Sequence, residues 1–205
     1  METPASPPIA ESIDFEWAGE TIRRVGTVVH RMLHRIGQEG LGRWGKARID
    51  AHRPYYRHAL LRLGVSKEEL DRAAEQVRQA LLKTLSDPRG RWILGQEGHC
   101  EYPVAGLYRG QVVSAVIDRT FVEGGVRWII DYKASAHEGG DIEAFLDQEQ
   151  ERYRGQLERY AVLMAAMDPG PIRLGLYFPL LQGWREFPFR GSTRTDMPGQ
   201  RPSPA

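Results

Sequence analysis

Apolar positions along the chain change period twice, from helical spacing to strand-like runs and back, and the change divides the chain into parts. Between Thr21 and Ile36, the residues Ile22, Val25, Val29, Met32, Leu33 and Ile36 recur every three or four positions, the period of one helix face. Leu70, Ala73, Ala74, Val77, Ala80, Leu81 and Leu85 repeat the pattern. Ser66-Lys-Glu-Glu69 in front of them has the form of a capping box, and Pro88 requires the helix to stop. From Arg91 the pattern predicts strands: Trp92-Ile-Leu94 as a short first one, then Cys100 to Tyr108. Two apolar runs follow, Val112 to Val122 and Val126 to Tyr132, around Glu123-Gly124-Gly125. Glycine takes positive φ without steric penalty, so this turn predicts a hairpin. Ala136 to Asp141 read as a Gly-containing loop. Ile142 to Met167 read as the longest helix, with Phe145, Tyr153, Leu157, Tyr160, Ala161 and Met164 as its apolar stripe. Asp168-Pro-Gly-Pro171 ends it, and two strands, 172–179 and 184–189, complete the pattern.

Strand geometry gives the hairpin chemical content. Side chains alternate faces, so Asp131 and Lys133 point the same way, Tyr132 points the other way, and Asp118 lies within reach on the partner strand. An acid buried beside Ile117, Ile129 and Ile130 is expensive without a partner. Two partners are open: a divalent cation bridging Asp118 and Asp131, or a salt bridge among Asp118, Arg119 and Lys133. His30, in Gly26-Thr-Val-Val-His30, sits near the apolar face of its helix and on spacing alone reads as a partly buried histidine. Gly26 lowers helix stability by about 1 kcal/mol against Ala, so something is expected to pack against the backbone there. Arg43, Arg53, Arg57 and Arg62 are interleaved with Trp44, Tyr55 and Tyr56. That combination suits phosphate and base contacts, and equally a solvated helix face. Glu101 points either at the hairpin acids or at solvent.

Composition narrows the class. The 205 residues, 41% apolar, carry a formal charge of +1, which fits one ordinary domain over 14–189, helical to residue 90 and sheet plus one helix from 91 to 189. Residues 1–13, with Pro4, Pro7 and Pro8, are expected to be a flexible segment or linker, and 190–205 a disordered tail. No apolar run approaches the roughly 20 residues of a membrane span and no signal-peptide order opens the chain, so a cytoplasmic protein without a membrane partner is expected. The single cysteine, Cys100, excludes an internal disulfide, a multi-cysteine zinc site and a four-cysteine iron-sulfur cluster. There is no Gly-x-x-x-x-Gly-Lys-Ser/Thr loop, hence no expected nucleotide. A charge of +1 gives no global pull towards nucleic acid, which would have to be met by local basic patches.

Four short motifs stand in order: Gly26-Thr27-x-x-His30, Ile117-Asp118-Arg119, Ile130-Asp131-Tyr132-Lys133 and Gln156-x-x-x-Tyr160. In that order, and with these intervening elements, they resemble the RecB-like nuclease domain at the C-terminus of RecB- and AddA-type helicase-nucleases, within the PD-(D/E)xK superfamily. The resemblance implies an α/β (α+β) restriction-endonuclease-like core, a central mixed sheet flanked by helices with an N-terminal helical portion. It also implies that His30, Asp118, Asp131 and the Tyr132 carbonyl ligate Mg²⁺ or Mn²⁺. Lys133 would then orient or activate the attacking water and stabilise charge on the phosphate, while Gln156 and Tyr160 position the lysine or the strand. Arg119, with Arg43, Arg53 and Arg57, is a candidate DNA contact. The implied activity is a metal-dependent DNA nuclease, an exonuclease on single strands or ends in recombination and break repair, with a helicase in the same or a partner polypeptide. The alternative is a nuclease-fold module that grips DNA or docks a helicase without cutting. The chain departs from the family pattern at Ala115-Val116, often Gly, and at Ala134, often Thr.

Overall fold

A computed structural model describes residues 9–135 and 140–191, with side chains from Gly19 onward. The expected loop at 136–139 and the terminal segments 1–8 and 192–205 lie outside the described residues. The elements run α1 (Ile9–Glu39), a 3-10 turn (Leu41–Arg43), α2 (Lys46–Ala51), α3 (Arg53–Arg62), α4 (Leu70–Ser86) and α5 (Pro88–Gly95). Then come β1 (Gly98–Tyr108), β2 (Gln111–Glu123), β3 (Val126–Tyr132), α6 (Ile142–Met167), β4 (Ile172–Phe178) and β5 (Gly183–Pro188).

Two expectations about helices are corrected. α1 begins at Ile9, and its 31 residues exceed the 26 of α6, the helix expected to be the longest. Trp92-Ile-Leu94 is not a strand but part of α5. The decisive local signal is Asp87-Pro88: Pro occupies the first helical position, and the Asp87 carboxylate accepts the N–H groups of Arg89 and Gly90, each at 3.2 Å. The capping box before α4 forms by half. Ser66 Oγ accepts the Glu69 N–H at 3.3 Å, while the Glu69 carboxylate takes the Thr21 hydroxyl of α1 at 3.1 Å and ties the two helices together.

The sheet has the order β1-β2-β3-β4-β5, antiparallel except for the β3–β4 pair. α6 is the crossover that this parallel pair requires. The β2–β3 turn puts Gly124 at φ 58° and Gly125 at φ 77°, two consecutive positive values that fit a two-residue hairpin loop. One face of the sheet carries Phe121, Trp128, Ile130, Tyr132 and Tyr177 against α1, α3, α4 and α5. The other carries Ile129, Leu174, Leu176 and Phe178 against α6. β3 is covered on both sides, which is why Trp128-Ile-Ile-Asp-Tyr132 is buried continuously rather than in alternation. Among the described residues no helix is long and apolar enough to cross a membrane.

Candidate active site

Alternation along β3 separates the two faces as the strand period requires. Tyr132 packs into the helical layer, whereas Asp131 faces α6 and accepts a hydrogen bond from Gln156 Nε2 at 3.1 Å. The same amide donates to Tyr160 Oη at 2.6 Å. Lys133 Nζ lies 2.7 Å from Asp131 Oδ2 and 3.8 Å from the centroid of the Tyr153 ring. The β2–β3 ladder ends at Arg119 and Ile130. One step further, the Asp118 side chain takes over, its Oδ2 accepting the Tyr132 N–H at 2.8 Å.

His30 reaches this place because α1 can approach the end of β3. A Cβ on Gly26 would stand 2.8 Å from the Ala134 Cβ, the close packing expected from a glycine inside a helix. One turn on, His30 Nε2 is 2.7 Å from the Tyr132 carbonyl oxygen and Nδ1 is 3.5 Å from Asp118 Oδ2. A carbonyl only accepts, so Nε2 carries a proton here. The structure therefore gathers His30, Asp118, Asp131, Tyr132, Lys133, Gln156 and Tyr160 from four elements into one cluster. It borders an open cleft of about 1010 Å³, lined by α1 from one side of the sheet and by α6 from the other, with the end of β3 between them.

The electrostatics of the cluster are unusual for a structural ion pair. Burial and the neighbouring Asp118 charge push the Asp131 carboxyl up from 3.8 to about 6, and Lys133 and His30 only partly oppose them. Burial alone would lower the His30 value, but the Asp118 hydrogen bond and charge, the Asp131 charge and the Tyr132 carbonyl together hold it above 6.5. Asp131 Oδ2 is buried, and the Lys133 ammonium at 2.7 Å is its partner, an ion pair without an aligned hydrogen bond. Buried carboxylate oxygens are rarely left so.

These groups suit a hard divalent cation in donor type: carboxylate oxygen, imidazole nitrogen and a backbone carbonyl. The proton shared between His30 Nε2 and the Tyr132 carbonyl occupies the space between two such donors, and Asp131 Oδ2 is held only by the Lys133 ammonium. No three His, Cys, Asp or Glu side chains among the described residues are already drawn around one point. Cation binding would therefore displace the His30 proton and loosen the Lys133–Asp131 contact.

Several expected contacts lie elsewhere. Arg119 is corrected: it is 1% exposed, on the helical face, donating to the carbonyls of Ile93 and Gln96 and to Cys100 Sγ. It can touch neither DNA nor the acid cluster, so the imagined Asp118–Arg119–Lys133 bridge reduces to Lys133 with Asp131. Arg53 and Arg57 pair with Asp71 and line a separate shallow pocket, and Arg43 is exposed at the 3-10 turn. Trp44 and Tyr56 are buried, which leaves only Tyr55 of the three aromatic residues there on the surface.

Other residues join the site without a motif to announce them. Glu101 lines the cleft and its carboxylate is 2.9 Å from His34 Nδ1. Its φ is 49°, a left-handed value unusual for glutamate. There the strand alternation changes phase: Cys100 meets Arg119 on the helical face, whereas Tyr102, Val104 and Ile117 all pack towards α6. Glu101 is opposite Asp118 by the flanking register of Cys100 with Arg119 and Tyr102 with Ile117. Glu149 is buried, accepting from Ser135 Oγ at 3.1 Å and from Arg152 at 3.2 Å. Helical spacing pointed only to the neighbours His34, four after His30, and Tyr153, three before Gln156, and not to Glu101 or Glu149.

None of the curated proteins compared with the chain matches it. The sequence model described as the PD-(D/E)XK nuclease superfamily matches residues 13–196, almost the whole length. With the mixed sheet, its flanking helices and the acid–lysine cluster at the hairpin in place, the chain belongs to the PD-(D/E)XK nuclease superfamily.

Proposed function

We propose that the chain is a divalent-metal-dependent deoxyribonuclease that hydrolyses phosphodiester bonds in single-stranded DNA or at DNA ends. The observation that carries this reading is the buried Asp131, held by Gln156 on one oxygen and left without an aligned donor on the other, beside Lys133, Asp118 and His30. Nuclease superfamily membership supplies the reaction class.

His30, Asp118, Asp131 and the Tyr132 carbonyl are the residues to hold Mg²⁺ or Mn²⁺. When bound, the ion would neutralise phosphate charge and lower the pKa of water. Everything else falls to the chain. Gln156 fixes the Asp131 carboxylate and is itself fixed by Tyr160, so the acid cannot rotate away. The Lys133 ammonium, held between Asp131 and the Tyr153 ring face, orients water for attack on phosphorus. It also stabilises the negative charge that grows on the phosphoryl oxygens as the bond to the leaving sugar oxygen breaks. A cation preorganised in this way needs no rearrangement at the moment of reaction.

The finer placement rests on the motifs at His30, Asp118, Asp131–Lys133 and Gln156–Tyr160, which resemble the RecB-like pattern. On that basis the chain acts as an exonuclease beside a helicase, in the same or a partner polypeptide, during recombination and double-strand-break repair. The test is cleavage of a labelled single-stranded oligonucleotide in Mg²⁺ by the chain and by Asp118→Ala and Lys133→Ala. Cleavage lost on adding chelator and in both variants supports the reading. Cleavage unchanged by either variant, or DNA binding with no cleavage in any divalent metal, favours the non-cutting module instead.

A further inference from the structure

Charges on the cleft wall of α1 are arranged differently from those on the rest of that helix. Arg24 and Arg35 are each neutralised by a glutamate one turn away, Glu20 and Glu39, both at 2.7 Å. Arg23 and Arg31 line the cleft, are exposed, and meet no carboxylate among the described residues. Arg23 makes only a 3.5 Å contact to the Gly19 carbonyl. The sequence leaves Arg31 without a partner by construction: its neighbours three and four positions away are Val28, His34, Thr27 and Arg35. Thr27 stands between the two arginines on the same stripe, with His30 beside it. Eight residues of helix separate Arg23 from Arg31 by about 12 Å, a span that accommodates several phosphates of one strand.

The opposite wall differs in kind. There α6 presents Tyr153 and Phe145, but the Tyr153 ring already takes the Lys133 ammonium at 3.8 Å and Phe145 packs against the core, so the cationic stripe that follows a strand's backbone lies on α1. Lys133 and Asp131 lie between the two walls. Guanidinium groups without a carboxylate partner among the described residues, on the cleft wall beside the acid–lysine cluster, complement the backbone of one single strand, with its phosphates towards α1.

We propose that Arg23 and Arg31 form a phosphate rail that guides a single DNA strand along α1 to the cluster. The inference rests on the nuclease reading for its substrate and adds the path by which that substrate enters. It makes the two arginines binding residues, without part in the bond-breaking step.

The experiment measures fluorescence anisotropy of a labelled, unstructured single-stranded oligodeoxynucleotide over a salt series. The full chain carries Lys133→Ala so that no turnover interferes. Adding Arg23→Gln and Arg31→Gln should weaken binding about tenfold near 0.1 M salt, and should lower the slope of log Kd against log salt by about 1.4, the loss of two single-strand phosphate contacts. Arg24→Gln with Arg35→Gln removes the same charge from the same helix outside the cleft and should leave both quantities within twofold. Equal losses in the two double variants, an unchanged slope in the first, or no saturable binding by the parent overturns the rail. A chain that binds through Arg23 and Arg31 yet never cleaves refutes the nuclease reading alone. A chain that cleaves with the rail variants unaffected refutes the rail alone.

Discussion

Arg119 and Asp131 are two ionisable side chains buried on adjoining strands of the same hairpin, on opposite faces of the sheet, and they are treated in opposite ways. The Arg119 guanidinium has three protein acceptors, the Ile93 and Gln96 carbonyls and Cys100 Sγ. It knits α5 to β1 and β2. Asp131 has one aligned donor, Gln156, a neighbouring acid that repels it, and on its other oxygen only the ion pair with Lys133. A buried charge with a complete set of partners is part of the scaffold. A buried charge left incomplete is what the proposed cation site would complete.

The comparison breaks most visibly if Arg119 is dispensable. Arg119→Met should destabilise the fold by roughly 3–5 kcal/mol, because two buried carbonyls lose their donor as well as a packed side chain. Chemical denaturation reads this directly, and cleavage per folded molecule should stay near that of the parent. Lys133→Ala should lower cleavage by about 10²–10³-fold, the usual effect of removing a preorganised charge donor, while destabilising the fold less than Arg119→Met.

Asp131→Asn sharpens the contrast further. An asparagine keeps an oxygen for the Gln156 amide but sheds the penalty that raises the carboxyl from 3.8 to about 6, a difference corresponding to about 3 kcal/mol at most. In chelator at neutral pH this variant should melt higher than the parent, and added Mg²⁺ should raise only the parent. A structural ion-pair cluster would give a lower melting temperature and no response to Mg²⁺.

The pH dependence of the metal-free chain carries the same sign. Asp131 holds its proton more tightly folded than unfolded, so the stability this group contributes is present below 3.8 and lost as pH rises through about 6. His30, raised above 6.5, contributes below that value and loses its contribution as pH rises through its higher folded value. Melting temperature in chelator should fall between pH 4 and above 6.5, and Asp131→Asn should remove the acidic part of that fall. The smallest effect is Gly26→Ala. Its methyl would overlap Ala134, and overpacking of about 1–3 kcal/mol is offset by about 1 kcal/mol of helix propensity. The Mg²⁺-induced rise in melting temperature should shrink as His30 is pushed from Tyr132.

Much of this was legible in the chain. Period-two alternation placed Asp131 and Lys133 on one face and Tyr132 on the other, and the same rule, applied one residue past Asp118, sends Arg119 away from the acids. The hairpin turn, α4 and the bounds of α6 followed from glycine placement and helical spacing. Gly26 signalled a close approach, and Ala134 makes it. What escaped had physical causes. Trp92-Ile-Leu94 is a short apolar run, which periodicity alone cannot assign to strand or helix; the capping by Asp87 decides it. The phase change at Glu101 depends on a positive φ in a non-glycine residue, which no local pattern announces. The His34–Glu101 and Ser135–Glu149 contacts join elements far apart in sequence, and only the assembled fold brings them together.

Crystals of the chain soaked in Mn²⁺ would show whether Asp131 belongs to a cation site shared with Asp118 and His30. The account predicts one anomalous peak within about 2.0–2.4 Å of His30 Nε2, a carboxylate oxygen each of Asp118 and Asp131, and the Tyr132 carbonyl oxygen. The Lys133–Asp131 contact should lengthen at the same time. No peak there at saturating Mn²⁺, with His30 still bonded to the Tyr132 carbonyl and Lys133 still on Asp131, would contradict it.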